Sequence, residues 1–140
     1  MKNDSYSISA DKSKLNTGII CKYLSEDSYW AKGRSREVIL KSIEGSLCFG
    51  VYSGTDQVGF ARIVSDYATF AYIADVFIMP EHRGKGLSKR LLTYMTEYPQ
   101  LQNLSSWLLL TEDAHGLYEQ FGFERTERAQ WIMEKRIKKP

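Results

Sequence analysis

The spacing of apolar positions switches repeatedly between alternating and helical along the chain, and these switches lay out the predicted elements. Tyr6-Ser7-Ile8-Ser9 alternates, which predicts a short strand, and Asp11 or Ser13 is placed to cap a helix behind it. Leu15, Ile19, Ile20 and Leu24 predict that helix in spite of Gly18. A loop over residues 27–34 is heavy in aromatics and cations. Ser35 and Arg36 then open a second helix carrying Val38, Ile39, Leu40 and Ile43, which Gly45 ends.

From Ser46 the period shortens. Residues 47–52 and 57–64 read as strands joined by a tight turn at Gly54-Thr55-Asp56, and so as an antiparallel pair. Residues 66–69 turn the chain into 72–79, which is apolar except for Asp75 and rich in Ile, Val, Phe and Tyr, as suits a buried central strand. Pro80 stops that strand because it has no N–H for the ladder. Leu87, Leu91, Leu92 and Met95 share one helical face, predicting a core-packed helix from about Gly84 to the break at Tyr98-Pro99. The apolar run 104–110 predicts a second buried strand, reached by a helical crossover and so parallel to the first. A short helix over 112–121 ends at Gly122, and Phe123 leads to a closing strand at 130–135. The fold class is α/β (α+β) with a mixed sheet, in a single domain over residues 1–140.

Composition narrows the partners. A chain of 140 residues with 43% hydrophobic and 26% charged content is large enough to bury a core and ordinary for a soluble globular protein. The net charge of +2 is too small to argue for nucleic acid. No apolar run is long enough for a membrane span and no N-terminal signal is visible, so a cytoplasmic protein that binds no membrane is expected. Cys21 and Cys48 lack metal-ligand spacing and read as buried free thiols; no metal is expected.

The chemistry concentrates where the central strand meets its helix. His82-Arg83-Gly84-Lys85-Gly86 is a short basic loop with two glycines. A helix start carries unpaired N–H groups and partial positive charge, which favour phosphate, and glycines let an anion approach the backbone closely. The phosphate-loop pattern GxxxxGK[ST] is absent, and so is a full GxGxxG with a later ribose-binding acid.

Arg83-Gly84-Lys85-Gly86-Leu87-Ser88, with its lead-in from Asp75 to Glu81, resembles the R/Q-x-x-G-x-G/A signature of the GNAT superfamily of acetyl-CoA-dependent N-acetyltransferases, with Ser88 in place of the final Gly or Ala. Ala114-x-x-Leu117-Tyr118-Glu119-x-x-Gly122-Phe123 resembles the second signature of that superfamily, and Thr111 stands where an Asn is common. The two signatures lie in the family's order. Ser28-Tyr29-Trp30-Ala31-x-Gly33-Arg34-Ser35 and Val58-Gly59-Phe60-Ala61-Arg62 are similar to a group of small members without an assigned substrate.

The resemblance implies a mostly antiparallel sheet with a splayed parallel central pair and flanking helices. It implies acetyl-CoA as co-substrate, its pantetheine arm bonded by the backbone of Val76, Phe77 and Ile78. The backbone of Arg83, Gly84, Lys85, Gly86, Leu87 and Ser88 would hold the pyrophosphate, and Thr111 would add a hydrogen bond. An amine would attack the thioester directly, with an N–H near Ile78 steadying the oxyanion and Tyr118 assisting the leaving thiolate. The base is left open among Asp75, Glu81, Glu112 and water, and Tyr72 stands where some relatives have a glutamate. The acceptor is a small-molecule or peptide amine, with Tyr29, Trp30 and Arg34 as its expected pocket. A different acyl-CoA donor, or a non-catalytic CoA-binding regulatory module, is the alternative. Monomer and homodimer are both compatible with the sequence.

Overall fold

The computed structural model describes residues 5–137. Five strands form one sheet in the order β1-β2-β3-β4-β5: β1 Tyr6–Ser9, β2 Leu47–Ser53, β3 Asp56–Ser65, β4 Phe70–Ile78 and β5 Ser106–Leu109. The first four are antiparallel neighbours, and β5 runs parallel to β4. The parallel pair follows from the crossover through a helix, as expected. The helices are α1 Thr17–Lys22, α2 Arg36–Glu44, α3 Leu87–Thr96 and α4 His115–Glu119.

The sheet is covered on both faces. On one, Phe49, Val51, Ala61 and Ile63 pack with Leu87, Leu91, Leu92 and Met95 of α3. On the other, Cys48, Phe60 and Phe77 pack with Ile20 and Leu24 of the first helical segment and Ile39 and Ile43 of α2. Burial raises the Cys48 thiol to a pKa of about 11, which keeps it protonated and inert.

The first helix is broken where the apolar spacing predicts one continuous run. Asp11 caps a short turn at Lys12–Lys14, and Asn16 starts α1 afresh by accepting the Ile19 N–H at 3.1 Å. After Lys22 the winding loosens over Tyr23–Asp27, closed by Ser28 N–H to Tyr23 C=O at 2.9 Å. The buried Ser28 hydroxyl donates to Leu24 C=O and accepts the Ala31 N–H, which sets the course of the loop bearing Tyr29 and Trp30. The helix expected from Gly84 begins at Leu87, because Gly84 and Gly86 have φ of 78° and 77° and cannot continue a right-handed helix. The strand expected at 104–110 is confined to Ser106–Leu109. No strand forms at 130–135; a single turn at Ala129–Trp131 is followed by residues 132–137 without regular secondary structure.

One irregularity in β4 organises the molecule. Phe60 and Arg62 of β3 stand opposite Phe77 and Ala74, so Asp75 and Val76 together face the single Ala61. This bulge places Asp75 at φ 55°, a left-handed conformation that Asp tolerates better than most residues. It also reverses which side chains face which layer. Ile73 packs on the α3 side, whereas Phe77 packs on the α1 and α2 side. Asp75 is thereby buried, where it accepts from Trp30 Nε1 at 2.8 Å, Arg34 Nη1 at 3.1 Å and Arg62 Nε at 2.9 Å.

A buried carboxylate held by two guanidinium groups is costly to remove from one side only. Asp75→Asn keeps the left-handed propensity and an acceptor oxygen but leaves two cations uncompensated. It is expected to lose about 3 kcal/mol of stability in chemical denaturation; an unchanged midpoint would show the cluster to be energetically idle.

Candidate functional site

The site forms where β4 and β5 part. Their ladder ends at the pair Ile73 and Leu109, while β4 continues to Ile78, so its last residues have β3 on one side and no strand on the other. The diverging strands are held at the top by separate devices. Beyond β5, Thr111 Oγ1 accepts the Ala114 N–H at 3.0 Å and turns the chain into α4. Beyond β4, the chain makes a short turn at Pro80–His82 and enters the glycine loop.

That loop is open. A Cβ built on Gly84 or Gly86 would meet no atom within 4 Å, and both lie on the exposed surface. Gly86 is the residue before α3 and supplies no side-chain cap. The first bond within the helix runs from Arg90 N–H to Gly86 C=O at 3.1 Å, so the N–H groups of Leu87, Ser88 and Lys89 lie in the first turn without an intrahelical acceptor. Lys85 lies over the Tyr6 ring at 5.9 Å.

Arg83 differs from its neighbours. Its Nε donates to Ile78 C=O at 2.8 Å and its Nη2 to Tyr23 Oη at 2.9 Å. The Tyr23 ring in turn stacks on Phe77 at 4.0 Å between centroids. The guanidinium therefore fastens the loop to the end of β4 and to the first helical segment, while the Arg83 N–H donates to Pro80 C=O at 3.3 Å and so, unlike the expectation for this residue, is not open. Neither Tyr23 nor Arg62 carries a role that the sequence alone points to. Arg62 was accessible in principle, as a cation interrupting the apolar run of one strand beside an anion interrupting the next.

Tyr118 of α4 is buried against Phe123, whose ring lies 6.0 Å away. Among the described residues its hydroxyl has no hydrogen-bond partner. Burial raises its pKa, with Tyr29 and Asp113 pushing the same way, so the phenol is held in its protonated, donating form. The influence of Tyr29 on Tyr118 reflects the path of its loop: Tyr29 Oη accepts the Glu112 N–H at 3.3 Å, and its ring meets Trp30 edge to face at 5.1 Å. Tyr29, Trp30 and Arg34 thus line a continuous path from Asp75 to the start of α4. Asp75, Glu81 and Glu112 are not gathered around Tyr118 in the same way. Asp75 is occupied by its three donor side chains, and Glu81 and Glu112 are exposed. Among the described residues no group of three His, Cys, Asp or Glu side chains is arranged to hold a metal ion.

Comparison with known proteins agrees with this layout. Residues 18–123 match the family model described as Acetyltransferase (GNAT) family. A Gibberella zeae protein with the provisional name acetyltransferase FG08082 is 31% identical over 136 residues, covering 81% of this chain and 75% of its own length. The crystal structure of a Xanthomonas campestris pv. campestris protein assigned to the GNAT family superposes with a TM-score of 0.92 at 45% identity, covering 94% and 93% of the two chains. A Clostridium acetobutylicum protein solved with acetyl-CoA shares the fold, with a TM-score of 0.65 at 12% identity and coverage of 93% and 94%. With the splayed strands, the open glycine turn and the buried tyrosine in place, the chain belongs to the GNAT family of acetyltransferases.

Proposed function

We propose that the protein transfers an acetyl group from acetyl-CoA to a primary amine of a small molecule or peptide. The observation that carries this reading is the end of β4, which has lost β5 as a neighbour and leads directly into a glycine turn with open N–H groups. Acetyl-CoA supplies the activated acyl group. An extended amide-bearing arm fits the vacant edge beside Val76, Phe77 and Ile78 as a strand would. The N–H groups from Gly84 to Ser88, with the partial positive charge of the α3 start, suit a pyrophosphate, the Arg83 N–H being taken by Pro80 C=O. The Thr111 hydroxyl already accepts from Ala114, so it would serve a ligand as a donor.

In the reaction a C–N bond forms at the thioester carbonyl and the C–S bond breaks. The amine proton leaves to solvent, directly or through a side chain, and the sulfur departs with its electron pair. An N–H near Ile78 would stabilise the transient oxyanion. In this reading Tyr118 is the residue that assists the leaving sulfur. A phenol of pKa ~10 and a thiol of ~8.5 make full proton transfer uphill by roughly 2 kcal/mol in water. The raised pKa of Tyr118 increases that gap, so its hydroxyl acts as a hydrogen-bond donor to the developing thiolate. Release of CoA on a panel of amines, polyamines, amino acids and peptides tests the reading, and no turnover on any of them would favour a binding module.

Two variants separate binding from chemistry. Gly86→Glu adds bulk and negative charge at the turn, where φ of 77° already disfavours a side chain. Calorimetry on the folded variant should show acetyl-CoA affinity reduced by at least about tenfold; undiminished affinity would remove the loop from the binding site.

Tyr118→Phe deletes one hydroxyl with no hydrogen-bond partner among the described residues, so fold and acetyl-CoA affinity should persist. The turnover number should fall by about 10- to 1000-fold. Because the folded pKa is raised, the donor form survives to higher pH than for a free phenol. Any alkaline loss of kcat due to Tyr118 should therefore lie above about pH 10 and vanish in the Phe variant. A wild-type rate with chemistry rate-limiting would leave Tyr118 a packing residue only.

A further inference from the structure

The cluster around Asp75 is unbalanced in charge. Arg34 and Arg62 bring two positive charges to the single negative charge of Asp75, and among the described residues no other acid pairs with either guanidinium. Each guanidinium also has donors to spare, out of five N–H groups. Arg34 spends only Nη1, on the two Asp75 oxygens at 3.1 and 3.3 Å. Arg62 spends Nε on Asp75 at 2.9 Å and Nη1 on Ser46 Oγ at 3.1 Å. Nothing among the described residues bonds Nε or Nη2 of Arg34, or Nη2 of Arg62. These nitrogens reach solvent, because among the described residues the Tyr52 hydroxyl is the one fully buried side-chain polar atom without a partner. The two arginines keep 19% and 15% of their side-chain surface open.

This cluster borders the cleft. Asp75 immediately precedes Val76 on the vacant edge of β4. Before the bulge, Ala71 and Ile73 pack on the α3 side, so Tyr72 turns to the opposite face of the sheet. In β5, Trp107 and Leu109 also pack on the α3 side, which leaves Leu108 on that opposite face, paired in register with Tyr72. Leu108 and, just beyond the strand, Leu110 are exposed, and so is Tyr29, whose hydroxyl reaches across to the Glu112 N–H. The cleft therefore joins apolar surface to a buried excess of positive charge.

We propose that the acceptor is a small amine that also carries a carboxylate and an apolar group, as a free apolar amino acid does; this rests on the acetyl-transfer reading of the cleft. The unspent N–H groups of Arg34 and Arg62 take the carboxylate, and Tyr29 with the exposed leucines takes the apolar group. The carboxylate supplies the missing negative charge. A polyamine would add positive charge beside an existing excess and leave the guanidinium donors unmet. A peptide N-terminus would bring only a neutral amide to them. The carboxylate is held and not consumed. The C–N bond forms at the amine, the amine proton leaves to solvent, and the sulfur departs with the C–S electron pair.

CoA release with a matched pair of acceptors, phenylalanine and phenylalaninamide, tests this. The wild type should favour the carboxylate in kcat/KM by about 10- to 100-fold, the range for hydrogen bonds to a charged group, and should use the diamine putrescine no better than the amide. Arg34→Met should bring the ratio close to one. Arg34→Lys keeps a cation beside Asp75 and should retain part of the preference; it carries the comparison if the Met variant does not fold. A merely structural Arg34 would lower both rates together and leave the ratio unchanged. An equal or reversed preference in the wild type, or a ratio untouched in a folded Arg34 variant, would overturn the proposal while acetyl transfer stood. Calorimetry on the CoA-loaded wild type separates the two readings if no amine is acetylated. Binding of phenylalanine without phenylalaninamide would support the carboxylate site although transfer had failed. Binding of neither, or of both alike, would overturn it.

Discussion

The structure depends on one buried carboxylate. Asp75 is the point at which a loop, a helix start and two strands are tied, through Trp30, Arg34 and Arg62. Its burial is tolerable because charged and hydrogen-bonding partners surround it, and the removal of either side would leave uncompensated charge. The bulge that brings Asp75 inward also breaks the parity of β4. That break lets the first half of the strand serve the α3 face and Phe77 serve the opposite layer. A regular strand would have placed Phe77 on the α3 side and left the Tyr23 ring without its stacking partner.

From Asp75 the geometry of the site propagates in two directions. Toward the proposed acceptor, Trp30 meets Tyr29, and Tyr29 reaches across to Glu112 at the start of the α4 turn. The two walls of the cleft are therefore linked by a polar contact rather than by sheet pairing. Toward the glycine loop, Phe77 stacks on Tyr23, and Tyr23 receives Arg83, whose other nitrogen holds Ile78 C=O. The loop glycines stay open to solvent while the nearest arginine is committed to fastening the loop. Rigid attachment of this kind lowers the ordering cost when a ligand binds.

Much of the layout was legible in the chain. Hydrophobic period places the three longer strands and helices α2 and α3 close to their observed positions, because burying an apolar face dictates the period of each element. Ser35 and Gly45 bound α2 as their capping chemistry requires. The two signatures locate the glycine turn and Tyr118 without coordinates. Period was a weaker guide where a local hydrogen bond competed with it, as where Asn16 restarts the first helix, or where two glycines in the left-handed region delay α3 to Leu87.

By itself the sequence determined the order of elements, the mixed sheet and the family, since these rest on local pattern and on motif order. Only the tertiary structure decided the roles that need two distant residues to meet. Asp75 and Arg62 lie thirteen positions apart, Asp75 and Trp30 forty-five, and Arg83 and Tyr23 sixty. No spacing rule relates such pairs; they are set by strand register and by the bulge. The fate of residues 130–135 belongs in the same class. Alternation gives them the capacity to be a strand, and whether a strand forms depends on finding an edge to accept them.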